Sequence, residues 1–353
     1  MRVAQIMLAG RLGGGEQVFI DLCGAIASRG HEVLAIGAAE SDAMDALDAR
    51  SDLQCARVRC QGTWDPLCRW AIGRLLRRFE PDVVQTHMGR ASALGGRAAR
   101  SAGYPTLAML HTMIQLKYYR AIDLFVPTTA DQEAYLRKNG VSAVRIERIP
   151  HFRSMEPVAL AKPPRRTDGV VKTLGRFVHK KGFDVLLHAA AHATAQGASF
   201  RLEIGGDGPE RGSLKSLAKQ LEIGDRVTFC GWIDDVAAFL ADADLFVLPS
   251  RIEPFGIVVL EAMACGVPIV ATRVSGPLET LDEDTALLVP SDDPAAMAEA
   301  MMTVFKGPEA AEARARAALA SFKANYAEPA VMERYLAACR RLAAESGGAA
   351  TKS

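Results

Sequence analysis

Long hydrophobic runs are missing from this chain of 353 residues, although 49% of it is hydrophobic. No uncharged stretch approaches the ~20 apolar residues that cross a bilayer, so a membrane-spanning protein is not expected. The opening run Met1–Ala9 is short and stops at Gly10. A secretory leader needs a longer apolar core and a cleavage site, so the expected location is the cytoplasm, peripheral to a membrane at most. Cysteine forms no CxxC pair: Cys23, Cys55, Cys60, Cys68, Cys230, Cys265 and Cys339 are odd in number and scattered. That excludes a disulfide framework and is read as reduced, buried or incidental thiols. Strong net charge is absent as well, the formal total being +1. A nucleic-acid partner is therefore not expected.

The small total hides an asymmetry. Up to Asp168 there are 23 Lys/Arg against 17 Asp/Glu, and after it 19 against 24. The length favours two domains, and a basic half beside an acidic one suggests two bodies with different partners, the basic one facing an anionic acceptor or lipid surface.

Short apolar runs alternate with helical patterns in both halves. Val3–Leu8, Val33–Ile36, Val83–Gln85, Leu107–Leu110 and Leu124–Val126 read as buried strands. The segment Glu156–Asp168, with Pro157, Pro163, Pro164, Arg165 and Arg166, breaks the rhythm as a linker. The alternation restarts in Val170–Leu174, Phe200–Ile204, Val227–Phe229, Leu245–Leu248, Ile269–Ala271 and Leu287–Val289. Alternation of this kind predicts parallel sheets covered on both faces. The expected architecture is α/β with two doubly wound Rossmann-like domains facing a central cleft. The expected boundaries are 1–160, 161–325 and a C-terminal helix 326–353 that crosses back to the first domain and frays from Ser346.

Two elements of the second half carry chemistry. Gly175-Arg176-Phe177-Val178-His179-Lys180-Lys181-Gly182 puts cations on a turn between a strand and the amphipathic helix Phe183–Ala195. A helix N-terminus with Arg176 and Lys181 beside it suits a diphosphate, and fixed cations stabilise charge that grows on a leaving phosphate. Glu253-Pro254-Phe255-Gly256 then opens the helix Ile257–Ala264, which carries Glu261 among apolar residues. A lone carboxylate there is costly to bury without donors, and a ribose diol supplies them. Together they point to a nucleoside diphosphate carrying a sugar.

In these motifs the chain resembles the retaining glycosyltransferases of family 4 (GT4, of GT-B fold), which include sucrose synthase-like, glycogen synthase-like and lipopolysaccharide-core enzymes. The family's Glu-x7-Glu pattern matches Glu253 through Glu261, within a wider match from Leu248 to Thr272. Gly175-Arg176…Lys181-Gly182 matches its diphosphate loop, Gly205-Gly206-Asp207-Gly208-Pro209 another loop, and Gly276-Pro277-Leu278-Glu279 its Gly-x-x-Glu segment. The resemblance is dense from Val170 to Pro290 and thinner before it. It implies that Arg176 and Lys181 hold the diphosphate and that Glu261 holds the ribose. Glu253 would hold the transferred sugar near its anomeric carbon. Gly206, Gly208, Phe255, Gly256 and Ile257 would line the donor. Gly13-Gly14-Gly15-Glu16 resembles the family's first glycine loop, so Gly14 and Gly15 are assigned to the donor, and His111 to the sugar pocket. His87 is read on the acceptor side, while His31, His151, His179, His188 and His192 receive no role.

The implied activity is hexosyl transfer with retention, from a UDP- or GDP-sugar (ADP also within the family's range) to a glycan or glycolipid in lipopolysaccharide or other surface-glycan synthesis. No cofactor and no metal are expected. Asp242-Ala-Asp244 spells the DxD of metal-dependent transferases but falls at a strand start, on the edge away from the expected site. Leu67, Arg69, Trp70, Arg74, Arg77 and Arg78 form a basic amphipathic pattern that suits either an anionic membrane or a sheet-covering helix. Two other classes stay open. A dehydrogenase would bind NAD at Gly10…Gly15, which lacks a full GxGxxG, and would leave Arg176, Lys181 and Glu253 idle. A non-catalytic sugar-nucleotide sensor would keep Arg176 and Glu261 but does not need Glu253 and Lys181.

Overall fold

The computed structural model describes residues 1–10, 13–161, 163–165 and 167–350, with side chains described up to 346. Two compact units divide them: Met1–Ser154 together with the segment from Glu328 onward, and Met155–Ala327.

Unit 1 is built on β1 (Arg2–Met7), β2 (Glu32–Ala38), β3 (Gln54–Val58), β4 (Val83–His87), β5 (Thr106–Met109) and β6 (Leu124–Val126). Their order across the sheet is β3-β2-β1-β4-β5-β6, with every pairing parallel. Continuous burial along β1, β4 and β5 shows a sheet covered on both faces, which is why these strands read as unbroken apolar runs. β3 escaped the sequence reading. It is an edge strand, half-exposed, and Gln54 and Arg57 break its apolar pattern.

Unit 2 repeats the plan with β7 (Gly169–Leu174), β8 (Phe200–Gly205), β9 (Val227–Gly231), β10 (Leu245–Leu248), β11 (Ile269–Thr272) and β12 (Leu287–Val289), ordered β12-β11-β10-β7-β8-β9. One face packs Val171, Leu202 and Val247 against Leu186, Leu187, Met297 and Met301 of the helices Phe183–Ala195 and Pro294–Lys306. The other packs Phe246 and Leu248 against Val259, Leu260 and Met263 of Ile257–Ala264.

In each sheet the strand order reverses once, between β1 and β4 and between β7 and β10. Chains leaving neighbouring strands there turn to opposite faces and leave a crevice at the carboxyl edge, where open α/β sheets bind ligands. The glycine loop and His87 flank the reversal in unit 1. The loops after β7 and β10 flank it in unit 2.

Several expectations need correction. Cys60 and Cys68 are disulfide-bonded, with Cα atoms 5.3 Å apart, where free thiols were expected. β3 delivers Cys60 beside the start of the helix Pro66–Phe79, a juxtaposition that sequence spacing does not reveal. The C-terminal helix Glu328–Ala350 carries a buried face of Val331, Met332, Tyr335 and Cys339 that belongs to unit 1, the domain it was expected to cross back to. Residues 351–353 of that tail, Arg166 of the linker, and Arg11 and Leu12 of the glycine loop lie outside the described residues.

Candidate active site

In unit 2, β7 ends at Leu174 and the chain turns at Gly175 into a loop that reaches the helix Phe183–Ala195 at Gly182. Gly182 has φ +66°, and a Cβ there would lie 2.0 Å from the Pro249 carbonyl oxygen. Glycine therefore lets the loop after β7 touch the loop after β10. The two are laced further. The amides of Arg251 and Ile252 donate to the Lys180 carbonyl at 2.8 and 3.1 Å. The Arg251 guanidinium donates to the His179 carbonyl at 2.8 Å and to both oxygens of Asp184 at 2.8 and 2.7 Å, and pairs with Asp292 at 2.5 Å. The bond to Asp184 leads in pushing the Arg251 pKa up, with Asp292 adding to it against burial. Sequence reasoning missed Arg251. Its signal was there, a lone arginine two residues before Glu253, but its partners come from two separate segments, His179–Asp184 and Asp292.

The cationic loop and the first carboxylate meet directly. Lys181 Nζ forms an ion pair with Glu253 Oε2, and the Ser250 hydroxyl donates to the same oxygen at 3.2 Å. Both side chains are largely buried. Arg176 is exposed on the same loop and faces no carboxylate within ion-pair distance among the described residues. The loop after β8 closes against this turn: Gly175 N–H donates to Gly205 at 3.0 Å and Phe177 N–H to Asp207 at 2.9 Å. A Cβ on Gly206 would lie 2.0 Å from the Gly175 oxygen, and one on Gly208 2.5 Å from that of Phe177.

After Glu253, Phe255 is buried and Gly256 takes φ +89° before the helix starts at Ile257, whose N-terminus no side chain caps. Free N–H groups at such an end are ready for an anion. Glu261 lies buried on this helix. Gly276 N–H donates to the Glu253 carbonyl at 2.9 Å and holds the carboxylate loop against Ser275–Thr280. Arg176, Lys181, Glu253, Phe255, Gly256, Ile257 and Glu261 thus all lie on the two segments leaving β7 and β10. Asp242 and Asp244 sit at the opposite edge of the sheet. Asp244 accepts from the Val170 and Arg165 amides at 2.7 and 3.0 Å, and Asp242 pairs with Lys172 at 2.6 Å. They are occupied as structural anchors. No cluster of three His, Cys, Asp or Glu with metal-holding geometry occurs among the described residues.

In unit 1 the helix Gly14–Ala27 follows the glycine loop. A Cβ on Gly15 would come within 3.4 Å of His111 Nδ1, so glycine brings the backbone up to that ring. Gly14 is exposed at the helix start. His111 is 8% exposed, and burial pushes its pKa down to about 4. His87, at the end of β4, is fully buried and bonds His111 at 2.9 Å, so it stands behind His111. His151, given no role from sequence, stacks on His111 at 5.0 Å between centroids. Burial, then the His111 charge, then that of His151, hold His87 well below the usual imidazole value. Burial and then His111 do the same for His151.

Residues 12–156 match the family described as Glycosyltransferase Family 4, and residues 160–320 match Glycosyl transferases group 1. The lipopolysaccharide core biosynthesis glycosyltransferase LpsD of Rhizobium meliloti is 32% identical over 344 residues, covering 93% of this chain and 95% of its own. The chain belongs to glycosyltransferase family 4. The companion LpsE of the same organism is 32% identical over 303 residues, covering 83% of this glycosyltransferase and 85% of its own chain. Among solved structures, Anabaena HepE in complex with UDP and glucose superposes with a TM-score of 0.83 at 19% identity, over 97% of this chain and 100% of its own. At that identity the likeness establishes the GT-B fold for this glycosyltransferase. The family membership leaves the dehydrogenase reading unsupported.

Proposed function

We propose that this glycosyltransferase moves a hexosyl group from a nucleoside diphosphate sugar to a hydroxyl of a lipopolysaccharide or other surface glycan, with retention and without a metal ion. The observation that carries the reading is the pair of segments at the strand-order reversal of unit 2, with Arg176 and Lys181 on one and Glu253 and Glu261 on the other. Arg176 and Lys181 bind the diphosphate. The backbone of Gly206 and Gly208 and the open helix end at Phe255, Gly256 and Ile257 complete its cradle. Glu261 accepts from the ribose diol. Glu253 accepts from a hydroxyl of the sugar. In unit 1, Gly14 and Gly15 are assigned to donor binding and His111 to the sugar.

As the glycosyl bond breaks, negative charge collects on the leaving phosphate. Two fixed cations held by packed loops stabilise it at no reorganisation cost, which is the work a metal does elsewhere. The Lys181–Glu253 ion pair supports a coupled step in which an arriving diphosphate draws Lys181 away and frees Glu253 Oε2 for the sugar. The leaving phosphate takes the acceptor proton. UDP and GDP are the preferred donors, with ADP third; HepE was solved with UDP, and a Mycobacterium tuberculosis relative is named GDP-mannose-dependent. The names of LpsD and LpsE support the lipopolysaccharide acceptor.

Contact with an anionic membrane accompanies this reading, on the cytoplasmic face. Trp64, Leu67 and Trp70 are exposed on and before the helix Pro66–Phe79. Arg69, Arg77, Arg97, Arg100 and Arg120 line the grooves beside it. No Asp or Glu occurs within 66–79 or 83–122, and of these arginines Arg100 pairs with Asp123 at 3.5 Å. Interfacial indoles beside arginines suit anionic lipid. Among the described residues no helix is long and apolar enough to cross a membrane. Co-sedimentation with phosphatidylglycerol-containing vesicles, and not with pure phosphatidylcholine, tests the surface; equal recovery with both removes it.

Radiolabelled UDP-, GDP- and ADP-sugars incubated in EDTA with lipopolysaccharide-core acceptors test the reaction itself. Label reaching the acceptor in EDTA supports the reading. Transfer that appears only when Mg²⁺ is restored overturns the metal-free part.

A further inference from the structure

A chain of buried polar groups runs behind His111. Gln5 Nε2 donates to the Tyr335 hydroxyl at 2.9 Å and to Gln85 Oε1 at 3.2 Å, and the Tyr335 hydroxyl donates to Gln85 Oε1 as well. This arrangement turns the Gln5 carbonyl oxygen toward His87, whose Nε2 lies 2.8 Å away. An amide oxygen only accepts, so His87 Nε2 carries the proton. A neutral imidazole then has its lone pair on Nδ1, and that atom lies 2.9 Å from His111 Nε2. His111 Nε2 must therefore donate. Its own lone pair is left on Nδ1, which is buried without a hydrogen-bond partner on the side that Gly15 faces. Every member of the chain is buried, with Gln5, Gln85 and His87 at 0% exposure and Tyr335 at 1%.

We infer that Gln5 and His87 are positioning residues that hold His111 in the single tautomer with Nδ1 as a hydrogen-bond acceptor, so that it selects a ligand presenting a hydroxyl there. The inference rests on the assignment of His111 to the sugar and adds what that assignment lacks: a direction for the bond and the residues that set it. The Met88 backbone beside the relay takes φ +64°, a left-handed conformation that is uncommon for a side chain of this size, at the residue joining His87 to the next helix. Tyr335 brings the C-terminal helix into the same chain of contacts, so that helix is tied to the tautomer of a residue it does not touch in sequence.

The test is heteronuclear NMR on histidine-15N-labelled, ligand-free protein, followed by titrations of UDP-glucose against UDP and of GDP-mannose against GDP. The expected spectrum shows His111 protonated at Nε2 and bare at Nδ1. His87→Phe keeps the ring and its stacking, and should turn His111 into a mixture of tautomers. It should weaken the sugar nucleotide about three- to tenfold, the worth of one hydrogen bond, while sparing the nucleoside diphosphate. His87→Gln, which restores an acceptor, should recover part of the loss. If His87→Phe fails to fold, Gln5→Met removes the anchor one bond further back and is read the same way. A proton on His111 Nδ1 in the parent protein overturns the inference, as does an unchanged tautomer in the variants. The spectrum does not depend on the proposed reaction. An intact tautomer shift with no change in sugar discrimination therefore refutes the role in sugar binding alone.

Discussion

Arg251 gathers Asp184, Asp292 and the His179 carbonyl around a single guanidinium that is 16% exposed. Removing it leaves Asp184 and the exposed Asp292 without their counter-charge and releases the loop that carries Lys181. Arg251→Ala should lower the stability of unit 2 by about 1–2 kcal/mol, since solvent screens both carboxylates, and weaken nucleotide binding with it. Arg251→Lys should recover little, because an ammonium cannot reproduce the forked contacts to Asp184. Urea unfolding of the two variants checks both statements, and a full rescue by lysine would show that charge alone is needed.

The three stacked histidines His87, His111 and His151 give a second expectation at this scale. Each is held neutral in the folded protein, while the unfolded chain protonates near the ordinary value of about 6.5. Below that value the unfolded state binds more protons, so stability is complete above pH 6.5 and falls as pH drops toward 4. His111 alone accounts for a loss of about 3 kcal/mol across that window. Chemical unfolding of the protein at pH 7.5, 6.5 and 5 should show the decline where carboxylates still stay ionised, and His111→Phe should make it shallower while His87 and His151 keep their share. Equal stability at pH 5 and 7.5 would mean that these rings are solvated.

Among the elements, the loops after β7, β8 and β10 depend on close backbone approach. Gly182→Ala must fit a methyl group where the Pro249 oxygen sits, at a φ that L-residues avoid. A loss of at least about 2 kcal/mol is expected, together with weaker diphosphate binding. A variant as stable as the parent would show that the two loops are free to part. The same elements mark what was legible beforehand. The inner strands β7, β10 and β11 showed as apolar runs because both faces of the sheet are covered there, and the ordered motifs between the strands located the Arg176–Lys181 and Glu253–Glu261 segments. β3 was missed because Gln54 and Arg57 break its apolar pattern, whereas the edge strands β6, β9 and β12 keep short apolar stretches. The Arg251 hub and the place of His151 were illegible because each depends on which distant segments the fold brings together. The Cys60–Cys68 bond was illegible for a local reason: its eight-residue turn gives no motif from which the Cα approach of 5.3 Å can be read. For Asp242 and Asp244 only the position at a strand start was legible; their partners Lys172, Val170 and Arg165 were not.

For the whole molecule, two sheets of one plan each reverse strand order once, and both reversals are flanked by the residues singled out for donor chemistry. The C-terminal helix returns to unit 1, where Arg29 pairs with Glu328 at 2.6 Å and Tyr335 enters the core, so unit 1 is assembled from both ends of the chain. That arrangement gives unit 1 a scaffold closed by the C-terminal helix rather than by the residues that follow β6 alone.

The claim that Arg176 and Lys181 replace a metal at the diphosphate is the one on which the account stands. Calorimetric titration of UDP, GDP, ADP, CMP and NAD, in EDTA, into the parent protein, Arg176→Ala and Lys181→Ala tests it most directly. Arg176 is exposed and holds no carboxylate among the described residues, so its removal leaves the fold intact. One nucleoside diphosphate should bind the parent without metal, and each variant should lose at least about tenfold in affinity. Binding only after Mg²⁺ is added, or undiminished binding by Arg176→Ala, would contradict it.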